Sequence, residues 1–363
     1  MFNQIVATAG RRGLILGLAA ILATVASAAL RMTGFSDVAV FVTTAIALAS
    51  LAAVVGEATD QLGTHMGPGP TGVIQSALGN LPELFISIFA LRAGLVVVVQ
   101  TALVGSILAN TLLVLGLAFL VGGLRHGPQS FGTRTSRMTA MLLVLSVASL
   151  AIPTLATAAG APDFGHARNV SVITAVVLLV VFMASVPMAI KGTIGPSRQH
   201  PPGVRGWPLS ATLTVLAVAG LGAALVSDWF VEALRPAMAV LGFSETFVGL
   251  IIVAIAGNAV ENVVGIAAAA RNEADLAVSL ILNSSLQVAL LLIPVLVILS
   301  TVLGGPVLTL VVPDLLMASV ALAAILAAFI IFDGEANYLE GLALVGLYVI
   351  IALSVWFGPP LMA

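Results

Sequence analysis

Two short polar boxes interrupt long apolar stretches of this 363-residue chain. The first box is Gly79-Asn80-Leu81-Pro82-Glu83, and the second is Gly257-Asn258-Ala259-Val260-Glu261, 178 residues further along. A carboxylate near the bilayer centre costs at least ~2.5 kcal/mol, so a glutamate at such a depth indicates a functional site. Two of them in matching boxes favour one shared ion site at the membrane midplane. The alternative is that each glutamate is a structural acid bonded to a neighbouring helix.

The spacing inside each box orients its polar side chains. Residues three apart share one face of a helix, so Asn80 points the same way as Glu83, and Asn258 the same way as Glu261. These four residues are the candidate metal ligands. Pro82 removes a backbone donor and weakens the helix at the first box, which frees carbonyl groups as further ligands. The second box contains no proline, so a matching break there is predicted less strongly.

Other polar groups near the boxes are candidates for the rest of a cation or proton path. Ser106 and Ser284 are again 178 residues apart. Acidic residues end the predicted spans before each box, and helix-end acids that reach interfacial water are an equally good interpretation of them. The complete set of additional candidates is Asn110, Ser106, Ser284, Ser285, Gln287, Glu57, Asp60, Asp228 and Asn262.

The donor chemistry of these residues favours a hard cation. The chain has no cysteine, and its four histidines fall in predicted loops, so zinc, copper and other soft metals are poorly served. Ca²⁺ accepts six to eight oxygen ligands in flexible geometry. Two ionised glutamates neutralise one divalent cation, and protonation would neutralise the same site when it is empty. Cation and protons therefore compete for the same oxygens, which predicts antiport of Ca²⁺ against H⁺ without a resident cofactor; Na⁺ could replace H⁺ in this argument.

Composition places the chain in a membrane. Hydrophobic residues make up 60% of it, charged residues 8%, and the mean hydropathy is +1.20. Soluble domains carry roughly 25% charged residues, so a soluble globular protein is excluded. A net charge of −2 provides no basic field for nucleic acid, which leaves the lipid bilayer and the transported ions as the expected partners.

A membrane span needs about 20 apolar residues. The sequence predicts eleven such spans, and the continuous rather than alternating apolar runs argue against a β-barrel. The predicted spans are 13–30, 38–58, 72–91, 95–121, 138–157, 170–190, 209–229, 245–270, 276–301, 314–331 and 339–357. We therefore predict an all-α polytopic membrane protein.

The spans divide into a peripheral helix and two repeats. Residues 1–36 hold the first helix, 37–190 a first five-helix repeat, 191–208 a Pro/Gly-rich cytoplasmic linker, and 209–363 a second five-helix repeat. Because five is odd, the second repeat must enter the membrane from the opposite side, as in inverted-repeat carriers. The first helix has a second interpretation as a cleaved secretory signal, since a pair of arginines precedes it and small residues follow.

The basic residues predict the orientation of the chain. With a cytoplasmic N-terminus, nine Lys and Arg residues lie in inner segments and four in outer ones. The positive-inside rule therefore favours a cytoplasmic N-terminus and an outer C-terminus. We expect a bacterial inner membrane or an equivalent one.

Four stretches of the chain resemble the calcium/proton exchanger family of the calcium/cation antiporter superfamily. They are Gly79–Gly123, which contains Gly-Ser-Ile-Leu-Ala-Asn, then Ser244–Leu299, Asp333–Phe357, and the short segment Gly56-Glu57-Ala58-Thr59-Asp60. The resemblance implies one peripheral helix plus ten helices in two inverted repeats. It also implies export of a divalent cation against protons, with Glu83 and Glu261 as central cation and proton sites.

Two features depart from that family. Asn262 follows the second box where members commonly carry histidine, and the linker here is basic where it is often acidic. An imidazole titrates near pH 6.5 and an asparagine does not, so proton sensing or cation selectivity can differ. The rival interpretations are an antiporter of the same fold that uses Na⁺ or prefers Mn²⁺, and an intramembrane enzyme. The spans contain no recognisable zinc or nucleophile motif that would favour the enzyme.

Overall fold

The computed structural model describes residues 10–66, 78–160, 166–190 and 206–358. Its α-helices, in chain order, are α1 (Gly10–Thr33), α2 (Asp37–Met66), α3 (Leu81–Arg92), α4 (Val96–Leu108), α5 (Leu115–His126), α6 (Thr133–Ala158), α7 (Ala167–Ile190), α8 (Leu209–Leu241), α9 (Glu245–Phe247), α10 (Ala254–Gly257), α11 (Ala259–Ala270), α12 (Ala274–Gln287), α13 (Ile293–Ser300), α14 (Asp314–Phe332) and α15 (Tyr338–Phe357). Three π-helical stretches, Ala109–Val114, Val248–Val253 and Val288–Leu292, continue α4, α9 and α12 into the next helix.

The helices confirm the polytopic all-α architecture. Among the described residues, nine helices are long and apolar enough to cross a membrane, and the bent pair Glu245–Gly257 and Glu261–Ala270 makes a tenth. The predicted span 72–91 is described only from residue 78, and α3 forms its second part. The first helix is the least buried of the nine, so it lies at the periphery of the bundle.

Two spans form the centre of the bundle. They are Val96–His126, made of α4, a π-helical stretch and α5, and Ala274–Ser300, made of α12, a π-helical stretch and α13. Both are mostly buried, whereas the outer helices expose large apolar side chains to the surroundings, as lipid contact requires.

The second box is brought against α4 by close backbone packing. Gly105 on α4 faces the carbonyl of Leu250 so closely that a Cβ at Gly105 would overlap it. Gly249 in turn faces Thr101 with no room for a Cβ. Small residues at such crossings let two helix backbones approach without side chains between them. The contact places Ser106, the residue after Gly105, beside the second box.

The helices α2 and α8 pack along each other and are longer than the sequence predicts. Phe41 of α2 stacks on Phe230 of α8 with ring centroids 5.0 Å apart. The predicted ends at 58 and 229 are wrong, because α2 continues to Met66 and α8 to Leu241. Consequently Glu57, Asp60, Asp228 and Glu232 lie within helices rather than at their ends.

Short extended segments join helices at the bundle ends. Gln129–Ser130 (β1) and Glu335–Ala336 (β2) form a two-residue antiparallel ladder, with Gln129 opposite Ala336. The residues before α14 have no regular secondary structure, and the side chains of Gln100, Thr154 and Ser171 satisfy their backbone groups. These polar contacts keep the irregular backbone paired inside the bundle.

Candidate functional site

The first box lies at a helix N-terminus. Asn80 precedes α3 with φ −89° and ψ 10°, and Pro82 occupies the first turn, where a missing N–H costs nothing. Glu83 is the acid of that first turn and is completely buried. The positive end of the helix dipole therefore points at a carboxylate within the membrane-spanning bundle.

The second box repeats this arrangement without a proline. Asn258 ends α10 and begins α11, with φ −104° and ψ 13°, and the helix axis bends there by 63°. Glu261 lies in the first turn of α11. The break that the sequence predicted less strongly is therefore present. The Asn258 side chain itself accommodates it, because Nδ2 donates to the carbonyl of Ala254 at 3.0 Å.

Ser106 connects the two boxes at the first carboxylate. Its hydroxyl donates a hydrogen bond to Oε1 of Glu83 and accepts one from Nδ2 of Asn258 at 3.0 Å. Glu83 belongs to the first box and Asn258 to the second, so a single hydroxyl joins residues from both. The other carboxylate oxygen, Oε2 of Glu83, is buried and has no hydrogen-bond partner among the described residues.

Ser284 makes the corresponding contacts at the second carboxylate. Its hydroxyl donates to Oε2 of Glu261 and accepts from Nδ2 of Asn110 at 3.0 Å. Asn110 lies on the π-helical stretch after α4, so the partner again comes from the other part of the chain. In both cases the serine lies 23 residues after its glutamate. The 178-residue offset of the sequence is thus preserved in the two glutamate–serine bonds but not in the asparagine donors, because Asn110 is equivalent to Val288 at that offset.

Each glutamate also packs against the glycine of the opposite box. A Cβ at Gly79 would lie 3.1 Å from Oε1 of Glu261, and a Cβ at Gly257 would lie 3.5 Å from Cβ of Glu83. The two boxes therefore interlock, because the glutamate of each box lies against the glycine of the other.

Gln287 joins this network through Asn80, whereas Asn262 lies nearby without a side-chain bond at its oxygen. Nδ2 of Asn80 donates to Oε1 of Gln287 at 3.2 Å, so this pair also links the first box to α12. Asn262 lies on α11 one turn beyond Asn258 and is buried, and its Oδ1 has no hydrogen-bond partner among the described residues. Its equivalent at the 178-residue offset is Leu84, so the two boxes differ at this position.

The remaining candidates are placed elsewhere. The Ser285 hydroxyl donates to Ile281 of its own helix at 3.3 Å, so it is not directed at a carboxylate. Glu57 accepts a hydrogen bond from Gln61 at 3.1 Å, and Asp60 lies one turn further along α2. Asp228 is half-buried on α8. Neither Glu57 nor Asp228 hydrogen-bonds a box residue in the part of the chain that the structure describes.

The histidines are not all in loops, which corrects the prediction. His65 lies in the last turn of α2 and His126 in the last turn of α5, while His200 falls outside the described residues. The described residues contain no group of three His, Cys, Asp or Glu side chains able to hold a metal. The donors around the two carboxylates are hydroxyl and amide groups, a set suited to a hard cation.

Three functional features were not predicted from the sequence. The first is the set of π-helical stretches, one of which carries Asn110. The second is the hydrogen bond that each serine accepts from an asparagine in the other half of the chain. The third is the close helix crossing at Gly105, which allows the bond between Asn258 and Ser106. π-helical turns inside α-helices are frequent at functional sites. The 23-residue spacing from each glutamate to its serine was a readable signal, since both pairs share it.

The fold and the site together define a multi-pass membrane protein of the ion-transport class. The family described as "Sodium/calcium exchanger protein" matches residues 36–191 and 211–357, so the chain belongs to that family. This confirms the resemblance to the cation exchangers.

Individual relatives agree with this assignment. The chain is 33% identical over 360 residues to a "Ca(2+)/H(+) antiporter" of Synechocystis sp., covering 90% of this chain and 93% of that protein. It is 33% identical over 330 residues to "Ca(2+)/H(+) antiporter ChaA" of Bacillus subtilis, covering 87% and 90%. The solved structure of native YfkE superposes with a TM-score of 0.80 at 29% identity, over 94% of this chain and 99% of that chain.

Proposed function

We propose that this protein is a secondary active antiporter that exchanges a divalent cation, Ca²⁺ foremost, for protons. The observation that carries the proposal is the pair of interlocked boxes, in which Glu83 and Glu261 each accept a serine hydroxyl that is itself held by an asparagine. The named activities of the Synechocystis and B. subtilis relatives support it.

The charges of the site explain the coupling. Two ionised glutamates carry −2, so one Ca²⁺ produces a neutral loaded site that can be enclosed within the membrane. With the cation gone, two bare carboxylates would face each other in a low-dielectric interior, and protons would neutralise them. Cation and protons then occupy the same oxygens in turn, which is exchange rather than co-transport.

The neutral groups supply the remaining coordination. The Ser106 and Ser284 hydroxyls and the amide oxygens of Asn80 and Asn258 would complete an oxygen shell around the cation. Ca²⁺ tolerates an irregular shell of this kind, whereas Mg²⁺ requires a tighter octahedron and retains its waters. The site would alternate between the two membrane faces, with residues 37–190 and 209–363 acting as inverted repeats around it.

The distribution of basic residues sets the proposed orientation. The linker 191–208 and the N-terminus would lie in the cytoplasm and the C-terminus outside, in a bacterial inner membrane or an equivalent one. The protein would then remove the cation from the cytosol at the expense of an inward proton gradient.

The test is uptake of radioactive Ca²⁺ into proteoliposomes with an imposed pH gradient, in sodium-free buffer. Uptake should follow the gradient and collapse when a protonophore is added. Uptake that appears only after Na⁺ replaces choline at fixed pH would instead assign sodium coupling, and competition by Mn²⁺ at lower concentration would assign a different preferred cation.

Glu83→Gln and Glu261→Gln test the paired carboxylates. Each variant leaves the loaded site with a net charge of +1, which costs at least ~2.5 kcal/mol at the bilayer centre, or at least about 60-fold in cation occupancy. Exchange should therefore be abolished in folded protein. Glu335→Gln, an exposed acid of β2, is the charge-matched control and should transport normally. Near-normal transport by either site variant would contradict the proposal.

A further inference from the structure

The end of the linker is docked onto the end of α2. The backbone carbonyl of Trp207 accepts from Nε2 of His65 at 2.8 Å, and the backbone N–H of Trp207 donates to Oε1 of Gln61 at 3.2 Å. Trp207 is only 4% exposed. Gly206 faces Thr64 without room for a Cβ. The bundle end at which these residues meet is called the linker face below.

Gln61 is engaged at both ends of its amide. While Oε1 accepts from Trp207, Nε2 donates to Oε1 of Glu57 at 3.1 Å. A backbone N–H can be received only by the amide oxygen, so the Trp207 contact fixes which way the amide faces. The NH₂ group must then point along α2 toward Glu57. The contact with Trp207 therefore orients the Gln61 amide, and the amide in turn holds the Glu57 carboxylate one helical turn further from the linker.

Glu57 stands on the helix that borders the second box. It is half-buried within the apolar membrane-spanning segment Asp37–Gly63, and α2 packs against both α10 and α11. An ionisable residue at such a depth faces the bundle interior or a water-filled path rather than lipid. Its equivalent at the 178-residue offset is Arg235, so the helix pairing itself does not require an acid here.

We propose that Gln61 is a positioning residue, which the Trp207 backbone holds so that the Glu57 carboxylate is fixed on the approach of the cation from the linker face. The inference rests on the proposed cation exchange. It makes the junction Gly206–Trp207 a control point for cation capture, because displacement of Trp207 would release Gln61 and with it Glu57. Gln61 itself does not contact the transported ion.

The experiment measures the apparent KM for Ca²⁺ of the full-length protein in everted membrane vesicles, in which the linker face is outward. Gln61→Leu removes both contacts with little change in volume. We expect KM to rise about threefold to tenfold, the range for a lost hydrogen bond, with an unchanged maximal rate. Thr43→Val is the matched control, because Thr43 lies near the other end of α2 and its hydroxyl donates only to carbonyl groups of that helix, so its KM should stay at the wild-type value.

A double-mutant cycle separates positioning from general structural damage. In a Glu57→Gln background, Gln61→Leu should have no further effect on KM. An unchanged KM in Gln61→Leu, or the same rise with and without Glu57, would overturn the proposal. If Gln61→Leu does not reach the membrane, Gln61→Met, an unbranched side chain of similar length, takes its place. Wild-type vesicles without any exchange would instead refute the proposed function itself.

A cysteine pair tests the docking directly in this cysteine-free chain. A Cβ at Gly206 would lie 3.2 Å from Cβ of Thr64, a few tenths of an ångström short of the usual disulfide range. Thr64→Cys with Gly206→Cys should therefore form a disulfide on mild oxidation, detected by loss of thiol labelling, and should keep the wild-type KM. Free thiols after oxidation, or a raised KM in the cross-linked protein, would overturn the proposal.

Discussion

Replacing Ser106 by alanine removes a hydroxyl that hydrogen-bonds both the first carboxylate and the second box. The hydroxyl donates to Glu83 and accepts from Asn258, so the variant loses both contacts at once. Asn258 keeps its bond to the Ala254 carbonyl, so the helix break should survive. What is lost at the site is the bond to a charged group, which is worth about 1.5–3 kcal/mol.

That energy converts into a measurable change in cation affinity. At about 1.4 kcal/mol per factor of ten, KM for Ca²⁺ should rise by about 10-fold to about 140-fold. The assay is the initial rate of proton-driven Ca²⁺ uptake into proteoliposomes across a range of Ca²⁺ concentrations. Ser284→Ala should behave alike, because its hydroxyl makes the equivalent two contacts with Glu261 and Asn110.

The matched control is Ser146→Ala. Ser146 is buried like Ser106, but its hydroxyl donates only to the Leu142 carbonyl of its own helix, at 2.6 Å. Its KM should equal that of the wild type. A Ser106→Ala protein that is folded and has a KM within twofold of the wild type would refute the role of the hydroxyl at the site.

The remaining predictions concern stability, measured by thermal unfolding in detergent. Gly341→Ala places a Cβ 2.5 Å from the Gly116 carbonyl, so it should cost about 1–3 kcal/mol, whereas Gly346→Ala on the same helix meets nothing within 4 Å and should be neutral or slightly stabilising. Equal transitions for the two would contradict this packing. Asn337→Ala removes the capping box that Asn337 forms with Glu340 at the start of α15, at a cost of about 1 kcal/mol, and an unchanged transition would show that the cap does not stabilise the helix.

Composition and local sequence pattern were enough to predict much of the fold and the two polar boxes. Continuous apolar runs suffice to predict membrane-spanning helices, because each charged residue placed in lipid adds its own unfavourable free energy. The two boxes could be found for the same reason: Glu83 and Glu261 are anomalies against their own neighbours. The absence of cysteine together with amide and hydroxyl groups also indicated a hard cation before any geometry was known.

Helix boundaries and breaks were predicted less well. The acids Glu57 and Asp228 were placed at helix ends, since charges usually mark the membrane surface, but tertiary packing of α2 against α8 extends both helices past them. The sequence around the break at Asn258 contains no proline that would have predicted it. The break is supported by a side-chain bond within the helix and by the packing of the second box against α4.

The asparagine that bonds each serine depends on tertiary structure alone. The sequence by itself determined that two glutamates, each followed 23 residues later by a serine, stand in equivalent positions. It could not determine that Ser106 accepts a hydrogen bond from Asn258, 152 residues away, or that Ser284 accepts one from Asn110. The first pairing is possible because Gly105 lets the backbone of α4 approach Leu250, and contacts between segments so distant in sequence leave no trace in local hydropathy or helix propensity.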